Sequence, residues 1–216
     1  MLEAVRKAGS VKTFVFTSSS TVYGDASRVP TPEDYAPLKP ISVYGSTKLA
    51  CEAMVSAYAH TYGFNAVIYR LANIVGPRAR HGVIYDFILK LRKNKNQLEI
   101  LGDGKQTKSY LHVNDCIQAM LSGVEKARER VEVFNIGSED QVNVQTIAKI
   151  VVEEMGFSKV KLTYTGGVDG GRGWVGDVKN MLLDISKLRS LGWKPRFNSK
   201  QAIRAATKAI LREIYH

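Results

Sequence analysis

Apolar residues along the chain come in short β-branched or aromatic runs and in longer stretches with helical spacing. Leu2, Val5 and Ala8 precede Gly9, so Met1–Ala8 reads as the end of a helix. Lys12–Thr17 reads as a buried strand, and the proline-punctuated Asp25–Pro40 as a loop. Leu49, Ala50, Ala53, Met54, Ala57 and Tyr58 form a stripe that predicts a helix over Val43–Tyr62, ended by Gly63. Asn65–Val75 reads as a single strand ending at Gly76-Pro77-Arg78. Beyond it the pattern predicts a helix over Gly82–Lys95, a strand over Leu98–Leu101 and a tight turn at Gly102-Asp103-Gly104. Ser109–Val113 reads as extended, with Asn114-Asp115 as the cap of a helix over Cys116–Ala127. Glu132–Ile136 and Lys159–Tyr164 read as strands, and Val142–Glu154, Ile185–Leu191 and Ser199–Ile214 as helices. Gly166–Gly176 is a glycine-rich connection.

The chemistry concentrates between Thr17 and Lys48. Ser18, Ser19, Ser20 and Thr21 close the first strand, and Tyr44 and Lys48 open the long helix at i, i+4 spacing. That spacing puts phenol and ammonium on one face, one turn apart. A nearby ammonium favours a phenolate, so the tyrosine suits proton abstraction, and a serine hydroxyl can hold the same substrate oxygen. Y-x-x-x-K alone recurs by chance on solvated helices; its order behind a strand-end hydroxyl cluster and V-Y-G is the stronger signal.

FTSSSTVYG (16–24), SVYGSTK (42–48), YRLANIVGPR (69–78), LEILGDGKQTKSYLHVND (98–115), VFNIG (133–137) and GRGWVGDV (171–178) occur in one order along nearly the whole chain. Together they resemble the NAD-dependent epimerase/dehydratase family of extended short-chain dehydrogenases/reductases, in particular its UDP-glucose 4-epimerase type. The resemblance implies an α/β fold: the C-terminal part of a Rossmann-type parallel sheet with flanking helices, plus a small α/β substrate-binding lobe. Residues 1–80 would belong to the Rossmann part and 81–216 mainly to the lobe, with 105–137 returning to the sheet. No G-x-x-G-x-x-G follows a strand here, and the expected partner of the strand at Thr13–Thr17 is absent, which predicts an exposed sheet edge.

The resemblance further implies catalysis by Ser19, Tyr44 and Lys48, with Tyr44 taking a proton from the sugar 4-hydroxyl while hydride passes to NAD and returns to the other face. Ser19, Tyr44, Lys48 and Ala72 would hold the cofactor. Asn73, Val83, Glu99, Leu101, Lys108 and Arg172 would hold a nucleotide-diphosphate sugar, expected to be a UDP-sugar. Arg78 and Arg80 are further candidates for phosphate. A homodimer would form through helix 43–62. Without the glycine-rich half, this chain alone is not expected to bind NAD tightly. Either it is a truncated piece of a longer enzyme, or a separate N-terminal half completes it, or it is a non-catalytic nucleotide-sugar-binding or dimerising remnant. Lys108-Ser109 stands where the family has Arg-Asp, Leu101 where some members have an aromatic, and Arg172, Trp174 and Asp177 where many place arginines before Gly-Asp. Trp174 is expected to pack. Ser20 and Thr21 occupy the places of the Asp-Glu pair used for dehydration, which disfavours that reaction.

Composition changes this picture little. The 216 residues are 44% hydrophobic and 24% charged, with a net charge of +11. Apart from Lys90–Lys95 the cations are dispersed, and no nucleic-acid motif accompanies them, so the expected partners include neither nucleic acid nor membrane. Cys51 and Cys116 sit in helical apolar patterns and are expected to be buried thiols, which points to the cytoplasm. His60, His81, His112 and His216 lack metal-ligand spacing, so no metal is expected.

Overall fold

A computed structural model describes residues 1–215. The chain opens with α1 (Leu2–Ala8), closed by Gly9 in the left-handed region, and enters β1 (Thr13–Ser19). A 3₁₀ turn, Ser20–Tyr23, and the loop that follows lead to α2 (Val43–Tyr62) and β2 (Asn65–Leu71). β1, β2 and β7 (Val131–Ile136) form a parallel sheet in that order, with Ser19 opposite Leu71 and Leu71 opposite Ile136. β1 and β7 are the edges of this sheet.

The strand expected over Asn65–Val75 is two strands. β2 ends at Leu71, the Ala72 amide donates to the Ile136 carbonyl, and β3 (Asn73–Val75) pairs instead with β6 (Tyr110–His112). Switching partners at Ala72 carries the chain from the first sheet into the second part of the molecule.

That part contains α3 (Val83–Lys93), β4 (Gln97–Ile100), β5 (Thr107–Lys108) and β6, after which α4 (Val113–Lys126) packs back on the first sheet through Cys116 and Ala119. β8 (Val142–Asn143), α5 (Val144–Glu154), β9 (Lys161–Tyr164), β10 (Asn180–Met181), α6 (Ser186–Ser190) and α7 (Ser199–Tyr215) complete the chain. β4 pairs with β9, while β5 lies between β10 and β8. Because Val142 and Asn143 pair with β5, α5 begins two residues later than its apolar pattern suggests, capped by the Asn143 side chain on the Thr146 amide. α4 is capped by the His112 ring nitrogen rather than by Asn114 or Asp115. The Asp115 carboxylate is taken by the Arg196 and Phe197 amides and the Arg196 guanidinium.

Period-two alternation divides β2 between two cores. Ala66 and Ile68 pack with Val55 and Ala59 of α2, whereas Val67 and Tyr69 join Ala119, Phe134, Leu188 and Trp193 on the opposite face. A third core joins α3, α5 and α7 through Ile88, Ile147 and Ile203. Of the stripe read on α2, only Leu49 and Tyr58 pack inward. Ala50, Ala53, Met54 and Ala57 are exposed, while Gly45, Glu52, Val55 and Ala59 are buried. Cys51, expected inside, is exposed for the same reason; Cys116 is buried, and burial pushes its thiol up to about 11. Among the described residues, no helix is long and apolar enough to cross a membrane.

Two glycines set how closely α2 approaches the strand end. At Gly24 (φ 62°) a Cβ would lie 1.9 Å from the Lys39 carbonyl oxygen, and at Gly45 one would lie 2.7 Å from that of Thr21. Gly45→Ala must therefore push α2 off the 3₁₀ turn. We expect a loss of about 1–3 kcal/mol, read as a lower urea midpoint.

Candidate functional site

The carboxyl ends of β1, β2 and β3 open into a cavity of about 460 Å³ lined by Ser19, Ser20, Thr21, Tyr44, Ala72 and Asn73 on one side. Val83, Tyr85, His81, Lys108, Tyr110 and Trp174 close the other side. Binding sites of open α/β sheets occupy this position. Val83, Lys108, Tyr110 and Trp174 also face a second, more apolar cavity of about 340 Å³ that reaches Phe87, Leu101 and Val144. The two spaces share a waist at these four side chains.

Ser42 caps α2 by accepting from the Gly45 amide at 3.0 Å, which fixes where Tyr44 emerges from the first turn. Tyr44 is 55% exposed, its ring turned to the cavity mouth. The Lys48 ammonium donates to the Thr17 carbonyl at 2.8 Å and sits 5.7 Å from the Tyr44 ring centre. The Ser19 hydroxyl oxygen accepts from the Thr21 amide and hydroxyl, at 3.3 and 3.0 Å. Its own proton remains available to a ligand. Strand end, helix start and 3₁₀ turn thus bring together a phenol, an ammonium and a hydroxyl.

Not every residue singled out from sequence reaches these cavities. Glu99 turns outward to pair with Lys90 at 3.0 Å. Arg172 pairs with Asp25 at 2.7 Å and lines neither space. Arg80 pairs with Glu213, whose carboxylate also accepts from the Arg78 amide. Trp174, expected to pack, is 57% exposed and forms a wall of both cavities. His216 lies outside the described residues. Among the described residues, no group of three His, Cys, Asp or Glu side chains could hold a metal ion.

Sequence reading missed what lies beneath the site. Glu52 and Arg70 form an ion pair at 2.8 Å with both side chains 7% exposed. The Ser18 hydroxyl donates to Glu52 at 2.5 Å. Arg70 also donates to the Tyr23 hydroxyl and the Glu33 carbonyl, and Tyr23 donates to Asn135 on β7. Burial works against the Arg70 charge, yet Glu52 and Tyr23 hold its pKa above the ordinary value. Burial pushes the Tyr23 phenol up to about 12, so it stays a neutral donor at neutral pH. The available signal was a lone glutamate one turn beyond Lys48, on the face that carries Tyr44.

The model of the NAD dependent epimerase/dehydratase family matches residues 1–137. The chain belongs to that family. It is 44% identical to a UDP-galactose 4-epimerase of known structure, with a TM-score of 0.86 over 99% of this chain and 67% of that one. Against the Thermotoga maritima UDP-glucose 4-epimerase, solved with UDP-glucose, it is 31% identical with a TM-score of 0.85, covering 100% of this chain and 68% of that one. A Methanocaldococcus jannaschii protein provisionally named UDP-glucose 4-epimerase is 33% identical over 94% of this chain and 64% of its own length. The chain thus spans less than two thirds of that curated relative. The match to the family also confirms the α/β architecture, with its parallel strands and flanking helices.

Replacing Glu52 with Met would leave the Arg70 guanidinium buried without its counter-ion, at a cost of about 3–5 kcal/mol. Adding Arg70→Met should recover most of that loss, because an apolar pair removes the desolvation of both charges. Urea unfolding of the single and double variants checks both expectations.

Proposed function

We propose that this chain carries the proton-handling and substrate-holding part of a nucleotide-sugar 4-epimerase. The observation that carries the reading is that Ser19, Tyr44, Ala72, Asn73, Val83 and Lys108 line one cavity at the strand ends. Relatives named for UDP-galactose and UDP-glucose epimerisation support the substrate class.

The residues present fit the nicotinamide end of NAD. Ser19, Tyr44 and Ala72 line the cavity, and Lys48 lies beside Tyr44, where its ammonium could turn from the Thr17 carbonyl to a ribose hydroxyl. Bound there, NAD would supply the acceptor, and later the donor, of a hydride. The chain's own residues handle the proton. As a phenolate, Tyr44 takes it from the sugar 4-hydroxyl, with the Lys48 ammonium beside it, and the Ser19 hydroxyl holds the reacting oxygen. The Tyr44 oxygen then returns the proton once the sugar has presented its other face. Asn73 and Lys108 hold the diphosphate, and Val83 and Leu101 line the space for the base. Tyr44→Phe should lower kcat by about 100-fold or more with little change in UDP affinity.

Calorimetric titration with NAD and with UDP tests the reading. Binding of both supports an epimerase. UDP binding without NAD binding would mark a nucleotide-sugar-binding protein that does no hydride chemistry unaided, and binding of neither would overturn the proposal.

The exposed α2 face of Ala50, Ala53, Met54 and Ala57 supports a homodimer built on this helix, its small side chains permitting close approach. Met54→Glu should convert a dimer to a monomer in sedimentation equilibrium; a wild-type monomer would refute the assembly.

A further inference from the structure

A pair of opposite charges occupies the waist of the site. Lys108, in β5, donates to the Asp177 carboxylate, whose side chain is 2% exposed against 16% for Lys108. The other Asp177 oxygen accepts from the Gly173 amide at 3.1 Å. The Lys108 ammonium lies 5.2 Å from the Trp174 ring centre, so carboxylate and indole hold it from two sides.

The surrounding charges do not make up for this pairing. Arg172 donates to the Asp177 carbonyl but spends its guanidinium on Asp25. At the far end of the apolar cavity, Lys90 is paired with Glu99, and Asp86 and Lys93 stand opposite in sign. Buried Tyr110, neutral because burial raises its phenol further, adds no charge. Any anion reaching Lys108 therefore meets Asp177 as well.

We propose that Asp177 is a specificity-determining residue that sets how much negative charge this site accepts. It makes the subsite around Lys108 nearly electroneutral. The proposal rests on the nucleotide-sugar reading for its ligand but on the Lys108–Asp177 pair for its physics. In a nucleotide sugar the diphosphate is esterified at both ends. In a free nucleoside diphosphate the terminal phosphate loses a second proton, with a pKa near about 6, and carries extra charge at neutral pH. That extra charge is the part most strongly repelled by a buried carboxylate. The site then holds the sugar ester in preference to the bare nucleotide.

The test is calorimetric titration of pyrophosphate, UDP and UDP-glucose into the wild-type chain and Asp177→Asn at one ionic strength. Asparagine keeps the size and an acceptor for the Gly173 amide. Asp177→Asn should tighten pyrophosphate and UDP on the order of ten-fold and UDP-glucose distinctly less. In a Lys108→Met background the same substitution should tighten them by a different factor, because the two residues act on one ligand charge. Weaker or unchanged binding in Asp177→Asn overturns the proposal, as does equal tightening of UDP and UDP-glucose or no binding of any of the three. Tighter pyrophosphate without binding of either nucleotide upholds the charge-setting role and defeats the nucleotide-sugar reading.

A second measurement needs no variant. A nearly neutral subsite predicts that wild-type pyrophosphate affinity changes little between low and moderate salt, since attraction and repulsion are screened together. A steep fall with salt would identify a cationic subsite and overturn the proposal.

Discussion

The close seating of α2 on the end of β1 depends on a buried electrostatic contact. Ser18 donates to Glu52, and Glu52 pairs with Arg70 from the neighbouring strand, so one carboxylate ties a helix to two strands. An ion pair this dry contributes little net stability, because desolvating both charges offsets much of their attraction. Its value is geometric, since an apolar pair would leave helix register and rotation less defined. Ser18 precedes Ser19, and Glu52 lies one and two turns beyond Lys48 and Tyr44. Ser19, Tyr44 and Lys48 are thus held on the same frame as the buried pair. Tyr23, Glu33 and Asn135 extend this frame to the third strand and to the loop before α2.

Above that frame, the site takes its shape from a strand that changes partner. Leaving β7 at Ala72 and joining β6 at Asn73, the chain sets the strand ends of the first sheet against α3 and the β5–β6 segment. The glycine-rich segment 166–176 then lays Trp174 across the opening, with Gly176 packed so closely on Ile41 that a Cβ would lie 2.8 Å from its carbonyl oxygen. One segment thus touches both the approach to α2, through Gly176, and Lys108, through Asp177.

Much of this was legible before any coordinates. Strong local signals, such as Gly63 after the long helix and β-branched runs, located most of the longer elements because backbone conformation acts over a few residues. The spacing of Tyr44 and Lys48 placed them on one face for the same reason. Where local rules competed with distant partners, the reading failed. The Asn65–Val75 run looked continuous because apolar content does not record which strand lies alongside. Asp115 looked like a cap because the Arg196 and Phe197 amides that claim it lie some 80 residues away. The α2 stripe located the helix but not the face that packs inward, because alanine and methionine suit either a core or an exposed face.

The amino-acid sequence by itself determined the family, the order of the longer strands and helices, and the identity of the phenol, ammonium and hydroxyl that meet at the strand ends. These follow from short-range geometry and from motifs contiguous in the chain. Only the tertiary structure decided that Glu52 and Arg70 lie buried together, that Arg172 turns to Asp25 and that Asp177 captures Lys108. Each is a choice of partner between charges that lie 18, 147 and 69 residues apart. Coulombic attraction has no sequence range, so which carboxylate a cation meets is settled only when packing brings them together.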